Sequence, residues 1–287
     1  MTTRRKDFRF LDRQRVRWVE VDMQKIVFNG HYLMYFDTAV GGYWRAMALP
    51  YAPTMEYLGG DLFVRKATVE YEGSARYDDV LDVGVRCARI GNSSLSMAAA
   101  VFRGEELLVT GELVYVFADP QSQRSQPVPQ QLRDVLQAFE AGKPMVEVRV
   151  GDWPTLGPDA QRIRRAVFVD EQKIPADMEW DGADGSCTHA VAYNRFGVPL
   201  ATGRLLEHVP GVAKIGRMAV NQTMRGSRVG RAVLDALMEA ARGQGFREAV
   251  LHAQVSAAAF YARAGFAERG PAFDEAGITH VEMVRAL

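Results

Sequence analysis

The chain has 287 residues, 48% hydrophobic and 24% charged, which gives it the length for two globular domains and excludes a disordered or collagen-like polymer. Its 35 basic and 35 acidic residues cancel, 18 of each sign up to residue 145 and 17 of each beyond it. Neither half therefore carries the positive excess that a nucleic-acid backbone or an anionic membrane selects. No apolar run approaches the ~20 residues of a membrane span. The basic residues at the start have no apolar stretch behind them, and Cys87 and Cys187 are too few and too distant for a disulfide framework. A cytoplasmic compartment is the expectation.

In chain order, Phe8 to Val21 alternates as a strand and His31 to Met47 as a helix. Tyr32, Phe36, Ala39, Val40, Tyr43 and Met47 share one helical face, and Leu33, Met34 and Tyr35 widen it until the helix is apolar nearly all round. Such a helix belongs inside something. Four extended segments follow, at Asp61 to Glu72, Val80 to Ile90, Leu95 to Arg103 and Leu107 to Ala118, joined in part by the turns Gly91-Asn92 and Gly104-Glu105. An antiparallel sheet wrapped around one helix is the simplest packing of this order, an α+β domain. Asp119 to Pro129 reads as a connector. Leu132, Val135, Leu136 and Phe139 then mark a short helix that stops at Gly142 and Pro144. The expected boundary is at residue 145, with 119–145 as linker and short helix.

Beyond it strand and helix alternate in a mixed α/β pattern. Strands are expected at Val146 to Val150, His189 to Asn194, Pro199 to Glu207, Lys214 to Val220, Glu248 to Gln254 and Thr279 to Ala286. Helices are expected at Pro158 to Glu171, with the proline at its start, at Arg228 to Arg242 and at Ala257 to Ala264.

Most conventional motifs are missing. There is no G-x-S-x-G elbow, and the histidines at 31, 189, 208, 252 and 280 are scattered without metal-ligand spacing. No metal or redox cofactor is implied. Glu20 and Asp22 fall two apart, so a strand would put both carboxylates on one face. Asp78-Asp79 reads as a loop pair and Cys87 as core. Glu20 to Phe36, EVDMQKIVFNGHYLMYF, is more informative. An acid at a strand rim precedes Asn29-Gly30-His31 and the helix, with Asn29 as N-cap and free amides behind it. Those amides suit a thioester carbonyl, and Asp22 suits attack on it or activation of water. An Asp that merely caps the turn is the alternative.

From Arg15 to about Glu140 the chain resembles the hotdog-fold acyl-CoA thioesterases of the 4-hydroxybenzoyl-CoA thioesterase family. The matching pieces are Arg15-Val16-Arg17-Trp18, Glu20, Asp22, Val27-Phe28, Gly30, Tyr32-Leu33, Tyr35-Phe36, Ala75-Arg76-Tyr77-Asp78-Asp79, Gly91-Asn92-Ser93-Ser94 and Pro127-Val128-Pro129. The resemblance implies that Asp22 is the catalytic acid, with Asn29, Gly30 and His31 beside the substrate. It also implies a homodimer or homotetramer with active sites at the subunit interface. Two departures stand out: the family's His-Gly-Asn is Asn29-Gly30-His31 here, and a glycine common three residues after the acid is Lys25.

The second informative segment is Lys214 to Gly230, KIGRMAVNQTMRGSRVG, a strand running through a turn into a helix. Small residues at a helix start let a phosphate approach the amides, where the helix dipole favours anions. From Val148 onward the chain resembles the GNAT N-acetyltransferases. Their R/Q-x-x-G-x-G/A motif binds the pyrophosphate of acetyl-CoA through backbone amides. Arg225, Val229 and Gly230 fit it, Arg228 replaces its first glycine, and the amides of Ser227 to Gly230, with Gly226 before them, are the expected cradle. Met218 to Val220 matches the strand whose backbone pairs with the pantetheine arm, and Gln254 falls where many members have Asn beside the cofactor. Phe260-Tyr261-Ala262-Arg263-Ala264-Gly265-Phe266 matches a stretch whose Tyr commonly protonates the leaving CoA thiolate, with a packing aromatic as the alternative for Tyr261. Arg164 to Gln172 and Thr279-His280 with Glu282-Met283 resemble one branch of that family. Glu171, Glu179 and His189 are candidates for the base.

The implied activities are hydrolysis of an acyl-CoA in the first domain and transfer of an acetyl or acyl group from CoA to an amine in the second. The rival is that one domain is a non-catalytic acyl-CoA sensor or dimerisation module.

Overall fold

The computed structural model describes residues 3–275 and 277–287, and the chain divides into two compact units, the first ending at Met145 and the second running Val146–Leu287. The first begins with strand β1 (Phe10–Arg15), helix α1 (His31–Ala46) and helix α2 (Tyr51–Leu58). Strands β2 (Asp61–Tyr71), β3 (Val80–Ile90), β4 (Ser94–Arg103) and β5 (Glu106–Ala118) follow, then helix α3 (Gln130–Glu140). The five strands form one antiparallel sheet in the order β1-β3-β4-β5-β2. Alternation dictates the faces. Gly42 of α1 sits over Phe10 and Asp12, and Gln14 hydrogen-bonds the Tyr35 carbonyl, so this row of β1 faces the helix. Phe36 needs Gly111 of β5, where a Cβ would come within 2.4 Å of its ring.

The sheet-around-helix expectation is met, with corrections. The helix is not enclosed all round: Tyr32, Tyr35, Phe36, Ala39, Val40, Tyr43 and Trp44 are buried, while Leu33 and Met34 remain 39% and 48% exposed. The first strand is shorter than read and ends at Arg15, so Glu20 and Asp22 share no strand face. Residues 119–145 are not a free linker. Asp119 caps its own turn through Ser122 and Gln121, Val128 donates to Asn92 O, and Arg133 reaches the Gly91 and Asn92 carbonyls. Helix α3 buries Leu132, Val135, Leu136 and Phe139, and its Glu140 accepts from Tyr43 and from the Cys87 amide.

The second unit contains β6 (Val146–Gly151), α4 (Trp153–Arg164), α5 (Ala176–Glu179), β7 (Thr188–Asn194), β8 (Pro199–Val209) and β9 (Val212–Val220). Helix α6 (Val229–Gly243), β10 (Glu248–Gln254), α7 (Ala258–Arg263), β11 (Ala267–Glu275) and β12 (Ile278–Ala286) complete it. Its mixed sheet runs β11-β12-β10-β9-β8-β7-β6. Val191 and Tyr193 of β7 pack under α4. Gly203, opposite Ala190 on the other face, makes room for Val233 and Leu237 of α6. The two helices therefore cover opposite faces.

Helix α4 starts five residues before Pro158, because Asp152 caps it by accepting from Thr155 and Pro154 takes a first-turn place where no amide is needed. Arg165–Glu171 continues it with wider, π-type turns. β11, which the sequence reading passed over, is an edge strand exposed along most of its length, so it carries no alternation. Among the described residues no helix is long and apolar enough to cross a membrane.

Candidate active sites

In the first unit, the segment between β1 and α1 is an arch. At one foot Glu20, only 2% exposed, accepts from the Arg17 amide and Nε at 2.7 Å each and from the Tyr35 hydroxyl at 2.8 Å. Burial alone would raise this carboxyl, but those hydrogen bonds and the Arg17 charge hold it below its ordinary range. At the other foot Val27 donates to Ala75 O and Phe28 to Glu20 O, while Val21 and Val27 form a bridge. Asp22 stands on the arch, half-buried, with Oδ1 accepting from the Gln24 amide at 2.8 Å. Lys25 turns the crown at φ 63°, the left-handed region, so a position suited to glycine is taken by an exposed lysine.

Asn29 does not cap the helix. Gly30 is the N-cap residue and has no side chain to cap with; the chain enters the helix through a turn in which His31 N donates to Phe28 O. Asn29 is exposed and its carbonyl accepts from Tyr71. His31 packs edge-on against Phe28 and lies 3.2 Å from the Met34 sulfur. Around the arch Trp18, Met23, Phe28 and Tyr77 are 75%, 99%, 50% and 53% exposed, a large apolar surface for one unit.

In the second unit the decisive geometry is a split in the sheet. β9 and β10 pair in parallel only over Val212–Lys214 and Glu248–Val250, then diverge. A bulge at Arg217 and Met218 strengthens the bend, since Arg204 faces Gly216 while Thr202 faces Ala219, and Arg217 has φ 52°. The wedge opens into a cavity of about 1360 Å³ lined by Met218, Val220, Arg225, Gly226, Arg228, Gly230, Gln254 and Tyr261, among others. At one end stands the start of α6, whose first-turn amides have no intrahelical acceptor. Arg228 is its N-cap residue at φ 68°. Gly230 is required by packing, because a Cβ there would approach Val220 within 2.9 Å. The opposite end holds His208, Lys214, His252, Glu275 and His280.

A thioesterase superfamily model matches residues 24–110, and a GNAT acetyltransferase domain model matches residues 166–287. A presumed acetyltransferase of Bacillus subtilis strain 168 is 36% identical over 129 residues, 44% of this chain and 86% of that protein. A presumed esterase of Aquifex aeolicus strain VF5 is 31% identical over 94 residues, 33% of this chain and 73% of that protein. The chain joins a hotdog thioesterase-superfamily domain to a GNAT domain. The crystal structure of a presumed N-acetyltransferase from Lactobacillus plantarum is 32% identical, with a TM-score of 0.48 over 50% of this chain and 99% of that one. Both families act on acyl-CoA thioesters.

The GNAT residues read from sequence gather around the cleft, with two corrections. Ser227 N is already spent on Met224 O, as is its hydroxyl, so the cradle reduces to the amides of Arg228 to Gly230. Arg225 is not a free cation: it grips Glu171 through two bonds of 2.7 and 2.6 Å and reaches Val220 O. The base candidates are also accounted for. Glu171 is committed to Arg225. Glu179 is 3% exposed beneath Arg164 at 2.5 Å and Arg217 at 3.2 Å. His189 is buried against Trp153, with Nε2 2.9 Å from Asp184 O. Gln254 lines the cleft and donates to Gln172. Tyr261 packs edge-on against Phe260 and Phe266, and burial pushes its hydroxyl up to about 12.

The sequence reading missed a buried ion network. Arg164, 1% exposed, binds Glu179 and Asp184 and lies over the Trp180 ring at 4.7 Å, while Arg204 joins Asp184 to Asp181. In RRAVFVDEQ nothing marks the first arginine as the interior one, because its carboxylates arrive from later loops. His252 was passed over for the same reason, since Glu275 lies on another strand.

Arg228 gives a direct test of the departed glycine. A non-glycine residue held at φ 68° is strained, so Arg228→Gly is expected to stabilise the GNAT domain by about 1 kcal/mol. The measurement is thermal unfolding of the full chain. A lowered midpoint for the domain would mean that the arginine side chain outweighs the backbone strain.

Proposed function

We propose that the protein hydrolyses an acyl-CoA in its hotdog domain and transfers an acetyl or acyl group from CoA to an amine in its GNAT domain. The observation that carries the second half is the parting of β9 from β10 beside the uncapped start of α6. The pantetheine arm, itself an amide chain, lies along Met218 to Val220, where β9 has no partner strand on the β10 side. The pyrophosphate meets the amides of Arg228, Val229 and Gly230, with the helix dipole behind them. The amine nitrogen attacks the thioester carbonyl, and Tyr261 gives its proton to the departing sulfur. The same apolar surroundings that hold the tyrosine proton also make a bare thiolate costly.

In the hotdog domain Asp22 attacks the thioester or activates water for it, while the first-turn amides of α1 beyond His31, whose own amide is spent on Phe28 O, hold the developing oxyanion. Asn29 and His31 flank that point. A thiol-release assay over an acyl-CoA panel, with and without a mixed pool of primary amines, tests both halves. Release without amines reports the first site and acylated amine the second; an inert chain in both arms defeats the reading.

Self-association through the hotdog domain belongs to the same reading. β2 pairs only with β5 among the described residues, so one of its edges is open along eleven residues. Phe63 and Val64 on it are 38% and 56% exposed, and a long edge of this kind invites a second copy. The full chain should sediment at twice its 31.9 kDa or more. Val64→Lys should shift it toward monomer and lower thioester hydrolysis. A wild-type chain that is monomeric and hydrolytically active overturns the interface assignment.

A further inference from the structure

At the end of the GNAT cleft opposite α6, His252 stands two residues before Gln254 on the same face of β10, just past the last residue paired with β9. Its Nδ1 lies 3.1 Å from Glu275 Oε2 at the end of β11. Phe273 of the same strand meets the imidazole edge-on at 4.9 Å and stacks on His280 at 6.1 Å. The other charged groups around the ring are few. Lys214 Nζ of β9 is 3.4 Å from Nδ1, and Glu282 Oε2 of β12 is 3.9 Å from Nε2, with its carboxylate held by Arg269 at 2.6 Å. His280, and His208 near Glu282, complete the set.

An ionised carboxylate only accepts and an ammonium only donates, so Glu275 and Lys214 ask opposite things of Nδ1; the nearer contact, Glu275 at 3.1 Å against Lys214 at 3.4 Å, favours the proton on Nδ1 and the lone pair on Nε2. Burial works against the Glu275 charge, but the hydrogen bond from His252 and the charges of His252, His280 and Lys214 keep it below the usual range. The ring thus lines the cleft with a carboxylate behind Nδ1 and an accepting Nε2, the arrangement a base for an ammonium substrate needs.

We propose that His252 is the general base for the amine acceptor and Glu275 its positioning residue; this rests on the acyltransferase reading of the cleft. Nε2 takes one proton from the acceptor ammonium. The freed nitrogen pair forms a bond to the thioester carbonyl carbon, the C–S bond breaks, and its electron pair leaves on the CoA sulfur. Of the two protons the nitrogen gives up in all, one is matched by the proton Tyr261 delivers to sulfur and the other leaves through His252.

The test uses the full chain, acetyl-CoA and four probes: tryptamine, spermidine, glucosamine and a lysine-terminated peptide. Acetylated amine is read by mass, which hydrolysis in the hotdog domain does not mimic. Against any accepted probe, His252→Gln should lower kcat/KM about 100-fold or more, lose the acid limb of the pH profile, and bind acetyl-CoA in calorimetry within about threefold of wild type. Glu275→Gln should move the acid limb to lower pH, because the imidazolium loses its carboxylate; a merely structural glutamate would lower the rate without moving the limb. Transfer by His252→Gln with its rate and limb unchanged overturns this assignment and leaves the acyltransferase reading standing. A wild-type chain that neither binds acetyl-CoA nor acetylates any probe overturns that reading and this one with it.

Discussion

Asp22→Asn is expected to lower acyl-CoA hydrolysis by about 100-fold to 10,000-fold while leaving the fold and acetyl transfer to amines unchanged. The asparagine carbonyl can still accept the Gln24 amide that Asp22 Oδ1 accepts at 2.8 Å, so the arch keeps its turn. What is lost is the anionic oxygen, which neither attacks a carbonyl nor takes a proton from water once it is an amide. Steady-state thiol release with a good acyl-CoA substrate, beside a far-ultraviolet circular dichroism melt, checks both parts. Near-normal turnover would return Asp22 to the role of a turn cap. A large fall in melting temperature would mean that the aspartate charge also holds the arch.

Arg164→Met is expected to destabilise the GNAT domain by about 3 kcal/mol, the lower end for removing one partner of a buried ion cluster. The side chain leaves Glu179 and Asp184, which are 3% and 9% exposed and cannot regain water without opening the domain. The loss stays at the lower end because Arg217 still reaches Glu179 at 3.2 Å and Arg204 still reaches Asp184 at 3.0 Å. Methionine keeps contact with Trp153 and Trp180, so the apolar part of the loss is small. Urea unfolding followed by tryptophan fluorescence measures it, and a change below about 1 kcal/mol would show that the network contributes little. The network also sets an acid limit. Arg204 holds the Asp181 carboxyl well below the usual range, and Arg164 and Arg204 overcome burial to lower that of Asp184. Their contribution is present above the ordinary carboxylate pKa and is lost only as pH falls through the depressed folded values.

The contrast between these two residues shows what was legible in the amino-acid order. Asp22 stood out as a candidate because the acid, the Asn-Gly pair and the helix are neighbours in the chain. Strands β3, β4 and β5 were readable because each alternates and is joined to the next by a short turn. Arg164 was not, because its environment is assembled from Glu179 and Asp184 in later loops, and an isolated charged residue reads as solvated. Pro158 misled by its usual place at helix starts, while the real start lay at Asp152, whose capping bond to Thr155 needs no apolar signal. His252 and Glu275, twenty-three positions apart, meet only because β12 brings the β11 end alongside β10.

The fixed feet of the arch have a consequence for how the hotdog domain can change. Glu20 is locked by Arg17 and Tyr35, and Val27 by Ala75, so the route of the backbone into α1 is set before the crown is reached. Met23, Gln24 and Lys25 between them are exposed and touch little of the core. Substitutions at exposed positions of this kind usually move stability by no more than about 0.5 kcal/mol. Met23 and Gln24 are thus free to vary in size, charge and polarity while Asp22 stays in place, whereas Lys25, at φ 63°, accepts chiefly glycine, asparagine or another residue that tolerates the left-handed turn, so descendants of this chain can remodel the surface beside Asp22 by changing a handful of codons and nothing underneath.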